Sequence, residues 1–354
     1  MQILLRYFYP TFNRIVGFGI VEFFLICFAA VNLLTFLLYV IDKRKAIRGK
    51  RRIRERTLIF FTLTLGGIGA IVGMKLANHK TKKTKFRVVA VIAMVPILIA
   101  GIHVVHSFTL DRIVQYVEIE FRSPNWNPEL DGYRIAFMTD KHTTSDEDMR
   151  AIAIELSRRN IDLLLLGGDF ASPGFDRYFF EGTVREISGT VTTDGIFGVY
   201  GNHDTRRLLA AAKERYGIVQ LENEGIHIRD GFYLAGVRNY WDGFSDISAA
   251  IAGASDSDFV LLISHNPDIA MSQPTVGVDL ILSGHTHGGQ VTLFGFPMYL
   301  MIPHITRYRL RFAYGFGDSA DGVPVFTSRG TGPYYGIPRI WARPEVVIFT
   351  MYSE

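Results

Sequence analysis

Three stretches in the first 110 residues lack the alternation of polar and apolar positions expected of a soluble chain. Phe23 to Ile41 is 19 residues without a charge, or 27 if counted from Ile15 with Glu22 tolerated. Either length, as a helix, crosses a hydrocarbon core of about 30 Å. The run passes into Asp42-Lys43-Arg44-Lys45 rather than a small-residue cleavage site, so it reads as a retained span and not as a signal peptide. Val88 to Phe108 gives a second span, 21 residues free of Asp, Glu, Lys and Arg. Between them, Thr57 to Met74 is also uncharged, but it is only 18 long and holds Gly66, Gly67, Gly69 and Gly73. That segment suits a short third span or a re-entrant hairpin.

From about Arg112 the pattern changes to apolar runs of strand length. They fall at Tyr133 to Met138, Ile161 to Leu166, Gly195 to Tyr200, Phe259 to Ile263, Val278 to Leu282 and Val346 to Met351. Helical periodicity appears at Asp146 to Arg159 and Arg206 to Tyr216. Short buried strands interleaved with helices predict an α/β domain with sheets covered by helices, over residues 111–354, after an all-helical membrane region over 1–110. Most of these strands end in a polar cluster containing His or Asp, where open α/β sheets place their ligands.

Charge sharpens the division. The 354 residues are 48% hydrophobic with mean hydropathy +0.18, which excludes a disordered chain. Residues 1–107 hold 17 Lys and Arg against three acidic residues, a net +14, while the remainder carries −10. The basic half is the apolar half, the pattern of spans with charged flanks, so no nucleic-acid partner is expected. The loop from Asp42 to Arg56 holds nine Lys and Arg and belongs in the cytoplasm by the positive-inside rule. If Thr57 to Met74 crosses, the C-terminal domain is cytoplasmic and the second basic loop (Lys80, Lys82, Lys83, Lys85, Arg87) is left outside. If it is re-entrant, both basic loops stay inside and the domain faces outward. Of these we favour three crossings of the inner or plasma membrane and a cytoplasmic catalytic domain.

Five clusters stand at the strand ends: Asp140-Lys141-His142, Gly168-Asp169, Gly201-Asn202-His203-Asp204, Ser264-His265 and Gly284-His285-Thr286-His287. They take five of the ten histidines. The single cysteine, Cys27, lies in an apolar run, so disulfides and thiolate metal sites are excluded. Imidazole, carboxylate and one amide suit Mn, Fe or Zn, and the number of groups suits two divalent ions, with one group bridging them.

In this order the clusters resemble the calcineurin-like metallophosphoesterases, whose pattern is D-x-H, G-D, G-N-H-[DE], H and G-H-x-H. The surroundings, Ser264-His265-Asn266-Pro267-Asp268, His287-Gly288-Gly289-Gln290-Val291 and a late Ser328-Arg329-Gly330, are similar to the bacterial membrane-associated branch, which includes UDP-2,3-diacylglucosamine pyrophosphatases. The resemblance implies a four-layer α/β/β/α sandwich. It also implies that Asp140, His142 and His287 hold one metal, that Asn202, His265 and His285 hold the other, that Asp169 bridges them, and that His203 is the general acid with Asp204 as an orienting partner. The expected partners are a membrane and a phosphate ester, lipid-linked or of the UDP-diacylglucosamine type. The alternative is a sensor or scaffold whose phosphoesterase domain is an output or non-catalytic. Lys141, where the family often has an apolar residue, reads as a solvated rim side chain or as a cation for a second phosphate; Arg329 and Arg339 are weaker candidates for that role.

The N-terminal region has its own resemblance. Asn32-Leu33-Leu34, Tyr39, Ile41-Asp42-Lys43, Gly66-Gly67, Gly73-Met74 and His79-Lys80-Thr81-Lys82 are similar to a small bacterial membrane domain family of unknown function, over about residues 25 to 100. His79, His103 and His106 read as interfacial polar residues rather than ligands.

Overall fold

A computed structural model describes residues 20–142, 144–171, 177–204, 213–297, 305–333 and 338–354. The chain forms two compact units, Met1–Ile102 and His103–Glu354. The helix expected at Arg206 to Tyr216 lies mostly outside the described residues, and its last four, 213–216, are helical.

The first unit is helical: α1 (Ile20–Ile47), α2 (Glu55–Leu63), α3 (Gly67–Leu76) and the start of α4 (Thr84–Phe108). Among the described residues, α1 and α4 are the two helices long and apolar enough to cross a membrane. Their large side chains point outward: Leu25, Leu33, Val91 and Leu98 are each about three-fifths exposed (61%, 59%, 67% and 63%), which water would penalise and lipid would not.

The third crossing expected over residues 57–74 finds no single span-length helix there. Those residues form α2 and α3, of 9 and 10 residues, each rising about 15 Å and too short to cross. The break comes at Leu65 (φ 66°) and Gly66. A Cβ at Gly66 would strike Thr35, and one at Gly69 the Asn32 carbonyl, so the glycines let the hairpin lie against the α1 backbone. Side chains of α1 satisfy polar groups that the turn leaves open. Asn32 Nδ2 donates to the Leu65 carbonyl (3.0 Å), Gly69 N–H donates to Asn32 Oδ1 (2.9 Å), and Tyr39 Oη lies 3.0 Å from Thr62 Oγ1.

The hairpin brings the chain back to the Asp42 end of α1. Buried Asp42 accepts hydrogen bonds from Ile53 N–H (2.9 Å) and Arg52 (3.0 Å), and its Oδ2 meets His79 Nε2 at 2.7 Å. Lys80 and Lys83 reach Glu55 at 3.0 and 2.8 Å. Both basic loops are thereby tied to one another through two carboxylates.

The second unit contains two six-stranded mixed sheets. The first runs in the order β1 (Gln115–Ser123), β12 (Glu345–Ser353), β2 (Tyr133–Met138), β3 (Leu163–Leu166), β4 (Ile196–Gly198), β5 (Val219–Gln220). The second runs β10 (Gly315–Asp318), β11 (Pro324–Thr327), β9 (Leu280–Ser283), β8 (Phe259–Ile263), β7 (Phe232–Gly236), β6 (Glu224–Arg229). Period-two alternation sorts each strand between layers. Ile135 and Phe137 of β2 face Leu261, Ile263 and Phe326 between the sheets, while Ala136 and Met138 meet Met149, Ile152 and Leu156 of α5 (Asp146–Arg158). That helix begins at Ser145, whose hydroxyl accepts from Asp148 N–H, with three acidic residues in its first turn. It packs beside α6 (Arg177–Ser188). Beyond the second sheet, short helical turns at Ile247–Ala250, Pro267–Met271 and Arg309–Phe312 cover Leu262, Ile281 and Val325. The architecture is the expected α/β/β/α, with a thin fourth layer.

Candidate metal centre

Strands β2, β3 and β4 run parallel in one sheet, and β8, β9 and β11 run parallel in the other. Their C-terminal ends deliver all the motif residues to one place. Each cluster begins one to three positions after the last strand residue, and the turn rather than the strand aims the side chains. Asp140, His142, Asp169, His285 and His287 all have left-handed backbones, with φ of 52°, 42°, 57°, 71° and 54°. Non-glycine residues rarely adopt this region, and they cluster in it at functional sites. Gly168 (φ 92°) is required for a second reason: a Cβ there would meet the Gly201 backbone, separating the two loops that carry Asp169 and Asn202.

The side chains fall into two buried groups. In one, His142 Nε2 and His287 Nε2 are 3.1 Å apart, and His287 Nε2 is 3.3 Å from Asp140 Oδ1. In the other, His265 Nε2 lies 3.2 Å from His285 Nδ1, 3.2 Å from Asn202 Oδ1 and 3.3 Å from Asp169 Oδ2. Asp169 Oδ2 is also 3.6 Å from His142 Nε2, so this oxygen faces both groups. Asp140, His142 and His287, and Asp169, His265 and His285, are two sets of donors close enough to hold an ion each.

Backbone groups orient the rings from behind. The far nitrogens of His142, His265 and His285 lie 3.1, 2.8 and 2.9 Å from the carbonyls of Ala171, Gly167 and Ile305, which fixes the proton there and turns a lone pair inward. Asp140 Oδ2 accepts from His285 N–H and Thr139 Oγ1, both at 2.9 Å, leaving Oδ1 toward His287. Burial pushes His142 down to about 4 and His285 down to about 3, and it holds His287 well below its ordinary value. These three imidazoles are neutral near pH 7. Burial opposes the charge on Asp169, but the His265 imidazole beside it keeps its carboxyl far below the usual range. Asp169 in turn holds His265 up to about 9 against burial. A buried proton shared among inward lone pairs and carboxylates is what a divalent cation displaces, so the donor set fits metal.

His203 sits at the edge. Its backbone N–H donates to Asp169 Oδ1 at 2.9 Å, its side chain is 17% exposed, and its Nε2 is 3.9 Å from Asp169 Oδ2. Trp241, 45% exposed, stands perpendicular to His285 with centroids 4.6 Å apart, an aromatic face at the mouth that the sequence did not single out.

Residues 133–289 match the family of calcineurin-like phosphoesterases, and residues 32–86 match a protein family of unknown function, DUF1294. Residues 133–289 are a calcineurin-like phosphoesterase domain. This domain is 27% identical over 228 residues to a metallophosphoesterase of Helicobacter pylori, covering 61% of this chain and 58% of that one, so the match spans under two thirds of that relative. It is 29% identical over 237 residues to the phosphodiesterase YaeI of Escherichia coli, covering 62% of this chain and 82% of that one. A transmembrane protein with metallophosphoesterase domain from Danio rerio is 23% identical over 319 residues, covering 82% of this chain and 69% of its own.

Three expected roles need correction in the phosphoesterase domain. Asp204 does not orient His203: Oδ2 accepts the N–H groups of Asp169 (2.7 Å) and Gly201 (2.9 Å), and Oδ1 that of Ala171 (2.9 Å). It is the node on which the ligand loops are folded. Lys141 is not at the rim, since it is fully buried, and burial pushes its ammonium down to about 7. A side chain so enclosed does not meet a phosphate arriving from solvent. Arg339 is also buried, and its guanidinium donates to the carbonyls of Gly332, Arg329, Ala342 and His287. Arg339 therefore ties the last loop to the His287 turn. Arg329 is half-buried, its guanidinium 3.5 Å over the Tyr314 ring and its stem against Gly288.

Proposed function

We propose that the chain is a membrane-anchored phosphoesterase, a membrane region over residues 1–110 carrying a catalytic domain over 111–354, which hydrolyses a phosphodiester or pyrophosphate bond in a lipid-linked substrate with two divalent ions. The carrying observation is the pair of buried donor groups with Asp169 Oδ2 facing both. In this reading Asp140, His142 and His287 hold one ion, Asn202, His265 and His285 the other, and Asp169 reaches both. The nitrogen-rich, thiolate-free set favours manganese, iron or zinc. When bound, the pair supplies positive charge to the phosphoryl oxygens and acidifies water for in-line attack. The chain's residues supply alignment and the proton: Asp204 fixes the loops and His203, at the open edge, protonates the departing oxygen. Arg329, on the turn beside Gly288, is the cation offered to a second phosphate.

Full-length protein in detergent is expected to hydrolyse bis-p-nitrophenyl phosphate with Mn²⁺ or Zn²⁺ and to stop with chelator. His203→Ala should lower kcat about 10²- to 10³-fold with metal content unchanged. Turnover that ignores chelator, or survives His203→Ala, overturns the reading.

The hairpin of α2 and α3 supports the outward topology. With both basic loops on the cytoplasmic face by the positive-inside rule, one crossing by α4 leads to a catalytic domain outside. This reverses the cytoplasmic placement expected from three crossings and turns the substrate from a UDP-linked lipid toward a lipid-linked phosphate of the outer leaflet. Fused at Glu354 and expressed in a Gram-negative host, alkaline phosphatase is expected to be active and green fluorescent protein dark. The inverse pattern restores the cytoplasmic reading and a nucleotide-linked substrate.

A further inference from the structure

The end of α4 is gripped by two segments of the phosphoesterase domain. His103 Nε2 accepts the backbone N–H of Phe294 at 3.3 Å, and its ring lies edge-on to Phe294, with centroids 4.6 Å apart. One turn later His106 stacks on Trp341 at 3.9 Å and bonds Asp111 Oδ2 at 2.8 Å. The same carboxylate oxygen accepts Trp341 N–H at 2.8 Å. The two segments are joined to each other, since Ile340 N–H donates to Gln290 O (2.8 Å) and Thr292 N–H to Ile340 O (3.0 Å).

The depth of this grip follows from helix geometry. His103 lies five residues before Phe108, where α4 ends, and five residues past the middle of a span without Asp, Glu, Lys or Arg from Val88 to Phe108. At about 1.5 Å per residue His103 is some 7 to 8 Å inside the end of that span. A backbone amide bonded to His103 is at the same depth. The turn that carries it displays apolar side chains: Val291 is 39% exposed, Leu293 46%, Phe294 52% and Phe296 46%. The turn closes on itself, with Leu293 and Phe296 exchanging backbone hydrogen bonds of 2.9 and 3.0 Å, so these side chains are held outward rather than collapsed. Trp341, the two histidines and Arg112, whose guanidinium lies 4.8 Å over Phe108, form the amphipathic belt that accompanies a span's emergence.

We propose that the turn over residues 291–297 is a membrane-inserted tip, seated between the headgroups and the upper acyl chains of the bilayer that α4 crosses. The depth of about 5 to 10 Å typical of interfacial elements matches that of His103. Only one residue, Gln290, separates this tip from the Gly284–Gly289 segment that carries His285 and His287. The inference rests on the membrane-anchored reading and narrows its substrate to an amphiphile whose phosphate lies at headgroup level, since the donor groups sit a few residues above the bilayer surface.

The chain has one cysteine, so the test is a depth measurement. In a Cys27→Ser background, Phe294→Cys is labelled with an environment-sensitive fluorophore and the full chain is reconstituted into phosphatidylglycerol/phosphatidylethanolamine vesicles with a nitroxide on the upper acyl chain. Val191→Cys, a 70% exposed position, serves as reference. The label at 294 is expected to emit at shorter wavelength and to be quenched at least threefold more than at 191. Equal quenching at the two positions overturns the proposal. If Phe294→Cys loses its thermal transition, Leu293→Cys is read in its place with the same criterion. Because the readout is optical, a quenched label leaves the inserted tip standing even if the unlabelled full-length protein fails the hydrolysis test given above, which alone decides the phosphoesterase reading.

Discussion

Asp169→Asn is expected to cut hydrolysis of a diester by about 10³-fold, close to 4 kcal/mol of transition-state stabilisation, and to reduce metal content measured by elemental analysis. The substitution keeps the shape but not the charge. The amide oxygen takes the Oδ1 place, where His203 N–H donates at 2.9 Å, so the Nδ2 hydrogens point from the Oδ2 place at His265 and His142. A donor then faces the lone pairs that were to receive a cation, and the one anionic oxygen common to both groups is gone. Full metal occupancy with near-native turnover would show that Asp169 is not the shared ligand.

Asp204→Asn is the second large effect, and it acts without touching substrate. The amide oxygen can serve the N–H groups of Asp169 and Gly201, which places Nδ2 against the Ala171 N–H. Two donors meet in a buried site, at a cost of about 2 to 3 kcal/mol. The midpoint of thermal unfolding should fall by about 5 to 10 °C for a unit of this size. Ala171 is also the residue whose carbonyl orients His142. Metal affinity is therefore expected to fall about 10- to 100-fold, the usual loss when the group behind a ligand is removed. The diagnostic outcome is partial recovery of turnover at raised Mn²⁺, which a merely unstable protein would not show. Native affinity with lowered stability would assign Asp204 to the fold alone.

The contrast between these two carboxylates shows what the sequence could and could not reveal. Asp169 is legible because a polar pair follows an uninterrupted apolar strand, and the same signal marks Asp140, Asn202, His265, His285 and His287. Asp204 lies in the same cluster and looks equally available, yet its partners are backbone amides 33 and 35 residues away, which leave no trace in composition or spacing. Lys141 misled for a related reason, since its neighbours are all ligand-bearing and nothing local says that the loop closes over it. Strands β2, β8 and β12 were visible as apolar runs. Strand β6, with its exposed and half-buried residues, and β10, with two glycines in four residues, carry too little apolar pattern to separate from loop. In the helical N-terminal unit the four glycines signalled that residues 57–74 were not one ordinary helix, but choosing the hairpin required the partners on α1.

Those partners impose an order on biogenesis. The α2–α3 hairpin has backbone groups at its bend that a bilayer cannot satisfy, and Asn32 supplies both a donor to Leu65 and an acceptor for Gly69. A ribosome delivers α1 first, so the receptor for the hairpin is already in place when residues 57–74 emerge. In the membrane-anchored topology proposed above, loss of Asn32 would weaken the docked hairpin against threading straight through, and threading would carry the second basic loop to the opposite face.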